Sequence, residues 1–378
     1  MQALRIYAGP KARRHIEQHG LNPQDVRVVP GAAGGPKGLV LGPLDRFIFG
    51  DWLTASTQEV HLVGASIGAW RMATACLDDP VTAFQRLEND YIQQHIAAPP
   101  GKKLPPAQIV SEQFGQSLKD FYGGRVQQVL QHPRYRLHIV TSRGRHMLRR
   151  EHGLGTPLGY LGAFLTNTLH RKAMGAWLER VVFSSQDAAL PFATGDYRTR
   201  QLALTEANFN PALQASCSIP FMLKAVHNIP GAPPGAYWDG GITDYHLHLN
   251  YASDLIAGGA GGTGDTGTFG SKNTASSGLV LYPHFQKTVV PGWLDKGLKW
   301  RHGATRFLDN MVLLAPDPAW IKTLPNGKLP DRNDFVRYNK DPQGRMKVWG
   351  AAVAASRQLA EEFQGWLEKP DMGRVAAL

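Results

Sequence analysis

Gly64-Ala65-Ser66-Ile67-Gly68 lies between a short apolar stretch, Val60-His61-Leu62-Val63, and a run from Ala69 to Leu77 with helical character. A serine on a tight turn between a strand and a helix presents its hydroxyl at the helix N-terminus, where the dipole favours developing negative charge. Flanking glycines let the backbone turn sharply and keep bulk away from the strained residue. The chemistry this suits is nucleophilic attack on a carbonyl.

Upstream, Pro30-Gly31-Ala32-Ala33-Gly34-Gly35-Pro36-Lys37-Gly38 follows a strand candidate at 26–29 and precedes a helix-like segment at 39–49. Glycines in such a loop aim free amides at a ligand, either a phosphate or an oxyanion. Gly34 precedes Ser66 by 32 residues, room for one helix and one strand. The two loops then belong to successive strands of a βαβ unit and open onto one cleft. A dinucleotide site would need Gly-x-Gly-x-x-Gly and a later acidic residue, and neither is clean here. Downstream, Ala236-Tyr237-Trp238-Asp239-Gly240-Gly241 sets a carboxylate after a short aromatic stretch. A desolvated aspartate can accept a serine proton. Asp-Gly reads equally well as a hairpin turn.

The order Gly34-Gly35-Pro36-Lys37-Gly38, Gly64-Ala65-Ser66-Ile67-Gly68, Asp239-Gly240-Gly241 resembles that of the patatin-like acyl hydrolases and phospholipases. Ala215-Ser216-Cys217-Ser218-Ile219-Pro220 resembles a fourth family segment, and the likeness covers about residues 26–250. The resemblance implies a Ser66–Asp239 dyad without a catalytic histidine and an oxyanion hole in the glycine loop. It implies a lipid acyl ester as substrate, and no metal or cofactor. The sequence departs from the family at Ala33, where many members carry glycine, at Pro36 and at Ile67. Pro36 has no N–H to donate, so Gly34, Gly35 and Ile67 are the expected oxyanion donors. Lys37, Gly38 and Gly240 are candidate substrate contacts. Lys37 reads as an anion-binding group or as an exposed helix residue.

Three other readings compete. A Ser-Asp-His triad would pair Ser66 with Asp187 or Asp196 and with His246, His248 or His284. His246 and His248 on one strand face, with Asp244, would make a metal pair. A catalytically silent lipid- or partner-binding protein would keep the fold. For docking on an anionic membrane the sequence offers the segment 291–302. It combines Trp293 and Trp300 with Lys296, Lys299, Arg301 and His302, and reads either as an interfacial amphipathic helix or as core-facing aromatics.

These groups need elements to position them. Strand patterns at 26–29, 60–63, 137–141 and 181–183 alternate with helical patterns at 39–49, 67–77 and 80–95. The expected fold is a three-layer α/β/α single domain over 1–378 with a mainly parallel sheet. A Gly/Ser/Thr-rich tract at 258–278 reads as a flexible loop, without the Lys-Ser/Thr ending of a P-loop. Apolar residues at helical spacing in 346–367 imply a C-terminal helical addition over about 340–370. A hydrophobic content of 43% supports a sizeable core. Cys76 and Cys217 read as reduced and buried. The net charge of +11 suits anionic partners, but the arginines between 134 and 150 fit a strand face and loop better than a nucleic-acid patch. With no secretory h-region and no apolar run of about 18 residues, the expected location is cytoplasmic, with peripheral contact at membranes.

Overall fold

The computed structural model describes residues 1–97, 99, 105–252 and 278–378. Their strands are β1 (Leu4–Ala8), β2 (Val26–Gly31), β3 (Val60–Ala65), β4 (Tyr135–Gly144), β5 (Leu178–Ser184), β6 (Thr199–Ala203), β7 (Val226–His227), β8 (Ala236–Asp239), β9 (Leu279–Pro283), β10 (Met311–Pro316) and β11 (Val375–Ala377). They join in one 11-stranded sheet of order β11-β1-β10-β9-β2-β3-β4-β5-β6, with β8 on β4 and β7 on β8. The central strands are rich in Val, Ile and Leu and are buried almost throughout, as strands covered on both faces must be. The protein is therefore α/β. The sheet is mainly parallel, with antiparallel pairs at β1–β10, β4–β5, β4–β8 and β7–β8.

Strand β4 sets the geometry of the site. Its first half pairs in parallel with β3, up to Ala65 opposite Val140. Its next residues pair antiparallel with β8, beginning with Asp239 opposite Thr141. Strands β3 and β8 therefore approach end to end along one edge of β4. The residue that follows β3 and the residue that ends β8 arrive side by side, although 173 positions separate them in the chain.

The helix Ile67–Ala75 leaves β3 directly and is buried along its whole length. It is fixed to the helix Gly42–Gly50 by a buried bidentate pair: Arg71 Nε and Nη2 each donate to Asp45 at 2.7 Å. Removing one member of such a pair strands a buried charge and costs about 3–5 kcal/mol. The pair thus ties the helix after the glycine loop to the helix after Ser66.

Several elements differ from expectation. The segment expected as one helix at 39–49 begins as a 3₁₀ turn, Gly35–Leu41, and becomes α-helical at Gly42–Gly50. The C-terminal addition is two helices, Pro342–Ala355 and Arg357–Glu368, which meet at Ser356. The segment 291–302 is not an amphipathic helix: it forms two short 3₁₀ turns, Trp293–Asp295 and Lys299–Arg301. Gly292 and Gly297 interrupt any helical run. The first strand and helix, β1 and Pro10–His19, carry too few residues of clear periodicity to stand out in the sequence. The expected loop at 258–278 lies, but for its last residue, outside the described residues. Among the described residues no helix is long and apolar enough to cross a membrane.

Candidate active site

Ser66 follows β3 in a left-handed backbone conformation, φ 57° and ψ −130°. Few non-glycine residues adopt such an angle, and it stores roughly 1–3 kcal/mol of strain. The neighbours explain both motif glycines. A Cβ on Gly68 would lie 1.8 Å from the Gly31 carbonyl oxygen, and one on Gly64 would lie 2.3 Å from Ala69 Cα. Only glycine allows the helix to start this close to β2.

The serine hydroxyl donates to Asp239 Oδ2 at 2.7 Å. Both side chains are buried, Ser66 3% and Asp239 5% exposed. The other carboxylate oxygen, Oδ1, accepts from the Gly241 amide at 2.7 Å. Burial pushes the Asp239 carboxyl above its usual range. The nearby charge of Arg332, the bonds from Ser66 and Gly241, and the charge of Lys296 pull it back. A carboxylate so placed is a stronger base than a free aspartate.

Ser216 ties these parts together. Its Oγ accepts from the Ser66 amide at 3.0 Å and donates to the Val140 carbonyl at 2.7 Å. Its own carbonyl accepts from the Gly240 amide at 3.1 Å, and the Ser218 carbonyl accepts from the Asp239 amide at 2.9 Å. The segment 215–220 is thus a clamp between the serine turn and the aspartate turn. The resemblance singled this segment out, but sequence reasoning gave Ser216 no role.

The glycine loop lies beside the serine turn. Gly34 packs on the Phe285 ring, 2.5 Å from where its Cβ would stand, and Gly35 (φ +57°) packs on the Arg332 side chain. The Ala33 amide donates to the Tyr245 carbonyl at 2.9 Å, which anchors the loop to the segment after Asp239. The amides of Gly34, Gly35 and Ile67 have no acceptor in the loop contacts among the described residues. For Gly35 and Ile67 this follows from their place at the first position of a helical turn. Gly35, Ser66 and Ile67 line one cavity of about 530 Å³. The volume falls within the range of small-molecule sites, and the walls include Trp70, Phe114, Ile219, Leu223 and Phe335.

Three candidate contacts lie elsewhere. Gly38 is buried against the Ile67 side chain, and Gly240 against the Val140 carbonyl, where a Cβ would come within 2.0 Å. Lys37 is half-buried with its Nζ 5.3 Å from the Phe285 ring centroid. None of the three lines the cavity. Among the cations that do line it, beside Lys340 and Arg345, is Arg332, from a part of the chain where no motif was visible. No ion pair or hydrogen bond holds its side chain among the described residues.

The histidines of the triad and metal readings do not gather at the dyad, although His246 and His284 meet edge to face with ring centroids 4.4 Å apart. His246 Nδ1 accepts from the Val290 amide at 3.0 Å, and His248 bonds the Val289 carbonyl and the Thr305 hydroxyl. His284 bonds the Gln286 backbone. Burial lowers all three imidazoles, His248 to about 4 and His284 to about 3. Among the described residues no imidazole hydrogen-bonds Ser66 or Asp239. Asp196 is paired with Arg180, and Asp244 with Arg180 and Arg171; the Asp187 side chain lies outside the described residues. Among the described residues no three His, Cys, Asp or Glu side chains form a metal-binding group. Cys76 is buried as expected, and Cys217 is partly buried on the cavity wall.

A scan against protein-family models finds no match, and comparison with curated proteins finds no significant relative.

Proposed function

We propose that this protein is a serine hydrolase of carboxylic esters, with a lipid acyl ester as its substrate class and a patatin-like three-layer arrangement as its architecture. The observation that carries the reading is the 2.7 Å hydrogen bond from Ser66 Oγ, in the wall of a largely apolar cavity, to a buried Asp239.

In this mechanism the ester's acyl chain lies along the apolar walls and its carbonyl carbon faces Ser66. Ionised Asp239 takes the hydroxyl proton as Oγ attacks, and the carbonyl oxygen becomes an oxyanion. The amides of Gly34, Gly35 and Ile67 donate to it, helped by the positive end of the Ile67–Ala75 helix. Preorganised donors of this kind contribute about 3–4 kcal/mol each to the transition state. The intermediate collapses to an acyl-serine, and the alcohol leaves with the proton from Asp239. Water then gives a proton to Asp239 as it attacks the acyl carbon, and the acyl–Oγ bond breaks as Asp239 returns that proton to Ser66 Oγ and the carboxylic acid leaves. No metal or cofactor enters any step.

Arg332 stands at the cavity wall and lends the ester's anionic substituent a partner. The resemblance supplies the lipid character of the substrate, and the apolar walls agree with it. A location inside the cell belongs to the same reading. The test is turnover of a graded panel of acyl esters by the native chain, Ser66→Ala and Asp239→Asn. Turnover by the native chain alone supports the hydrolase. Binding of acyl esters without turnover by any of the three supports the silent binding protein instead.

A further inference from the structure

The helix Gly155–Leu169 is built inside out. Its inward face is small or polar: Thr156, Gly159, Tyr160, Ala163 and Asn167 are the buried residues. Its outward face carries the large apolar side chains. Leu158, Leu161, Leu165 and Leu169 are 57%, 53%, 56% and 86% exposed, and Leu154 just before the helix is 83% exposed. Their spacing of three and four residues puts them on one stripe. From Gly153 to Leu169 the sequence has no charged residue and no histidine. A surface helix of a water-soluble face shows the opposite pattern.

This orientation is fixed by specific contacts. A Cβ on Gly159 would stand 2.6 Å from Leu148 Cδ2, and one on Gly162 would stand 2.6 Å from the Trp177 ring. Asn167 Nδ2 donates to the buried Asp295 at 2.8 Å. Tyr160 packs edge-on against Trp238, the neighbour of Asp239.

The helix reaches the cavity mouth through Tyr160 on its inward face, and the exposed stripe is flanked by positive charge. Tyr160 meets Phe221, and Phe221 and Met222 both line the cavity and stand exposed. Phe221 holds its ring outward from a left-handed backbone, φ 69°. Arg149 and Arg150 are exposed before the helix, and Lys172 after it. Arg301 donates to the Thr168 carbonyl at 3.1 Å and so brings Lys299 and Trp300, which is 71% exposed, to the helix's end. The nearby acids are occupied: Glu151 pairs with Lys224, and buried Asp295 pairs with Arg171 and Arg301.

We propose that this face docks on an anionic phospholipid membrane, with the leucine stripe and Trp300 in the interface and the basic residues among the headgroups. The combination of an apolar stripe, a basic rim and an interfacial tryptophan is what such a surface recognises. Docking this way turns the cavity mouth toward the lipid. The inference goes beyond the hydrolase reading, because binding needs no turnover.

The experiment is co-sedimentation of the full chain with phosphatidylcholine vesicles, with and without phosphatidylglycerol. The native protein is expected to bind the anionic vesicles, and less so at high salt. Leu158→Glu with Leu165→Glu is expected to weaken binding by at least about tenfold. Both positions are exposed and outside the cavity, so fluorophosphonate labelling and circular dichroism stay as in the native chain. Arg149→Ala with Arg150→Ala weakens it by roughly fivefold per charge. No binding at low salt, or binding unchanged by the glutamates, overturns the proposal. So does a dimer in solution that the glutamates dissolve, which assigns the stripe to a second copy. Vesicle binding without hydrolysis of any ester upholds docking and counts against the hydrolase alone.

Discussion

Ser66 and Asp239 meet because β3 and β8 end against consecutive residues of β4: Ala65 pairs with Val140, and Asp239 with Thr141. The dyad is a consequence of sheet register, and the helix after Ser66 and the turn after Asp239 only aim the side chains. A shift of one residue in either pairing would separate the hydroxyl from the carboxylate by a full residue step.

Burying Asp239 raises its carboxyl, and that has a cost for stability with a definite sign. A group whose folded-state value is raised leaves the native state most stable at low pH, and stability is lost as pH rises through the raised value. Asp239→Asn removes the ionisation. The variant is expected to lose turnover by about a thousandfold or more and to melt roughly 1–3 °C higher than the native chain at pH 8. The gap closes as pH falls toward the ordinary aspartate range. Thermal melts of both proteins at several pH values check this.

Arg332 pulls the Asp239 carboxyl down against the effect of burial. With Arg332→Gln the carboxyl rises further, so the acidic limb of kcat/KM moves to higher pH while the plateau rate is kept for substrates without an anionic group. A profile that stays in place separates Arg332 from the dyad.

Ser216→Ala leaves the Ser66 amide and the Val140 carbonyl without their partner. Two buried backbone groups then lack a hydrogen bond, at about 1–3 kcal/mol each. The expected result in urea melts is a loss of about 2–6 kcal/mol for the two groups together. In kinetics, kcat falls more than KM rises, because the clamp positions the nucleophile.

Gly68→Ala sets a methyl group 1.8 Å from a backbone oxygen that cannot swing away. The destabilisation is expected to match or exceed the roughly 1–3 kcal/mol of ordinary overpacking. Gly365→Ala, where nothing stands within 4 Å, is the control and should be neutral or stabilising.

The sequence shows what is local. Glycines around Ser66, the loop at Gly34 and Gly35 and the turn at Asp239 are each spelled out within a few residues, because a tight turn or a close backbone approach needs glycine where it happens. The central strands are legible for a related reason: burial on both faces demands runs of Val, Ile and Leu. Other features depend on distant packing and leave no local mark. The antiparallel pairing of β8 with β4 cannot be read from Ala236-Tyr237-Trp238-Asp239, which explains why the aspartate fitted a hairpin turn equally well. Arg332 enters the cavity from a stretch of ordinary polar composition. The inverted helix at Gly155–Leu169 has a helical apolar period, but the period does not say which face is inward. Gly159 and Gly162 decide that by their contacts with Leu148 and Trp177.

The most direct test of the dyad is intact-mass spectrometry of the native chain and Ser66→Ala after treatment with a fluorophosphonate. An activated dyad gives a single adduct on the native protein and none on the variant. A folded native chain that gains no adduct, or a variant labelled equally well, contradicts it.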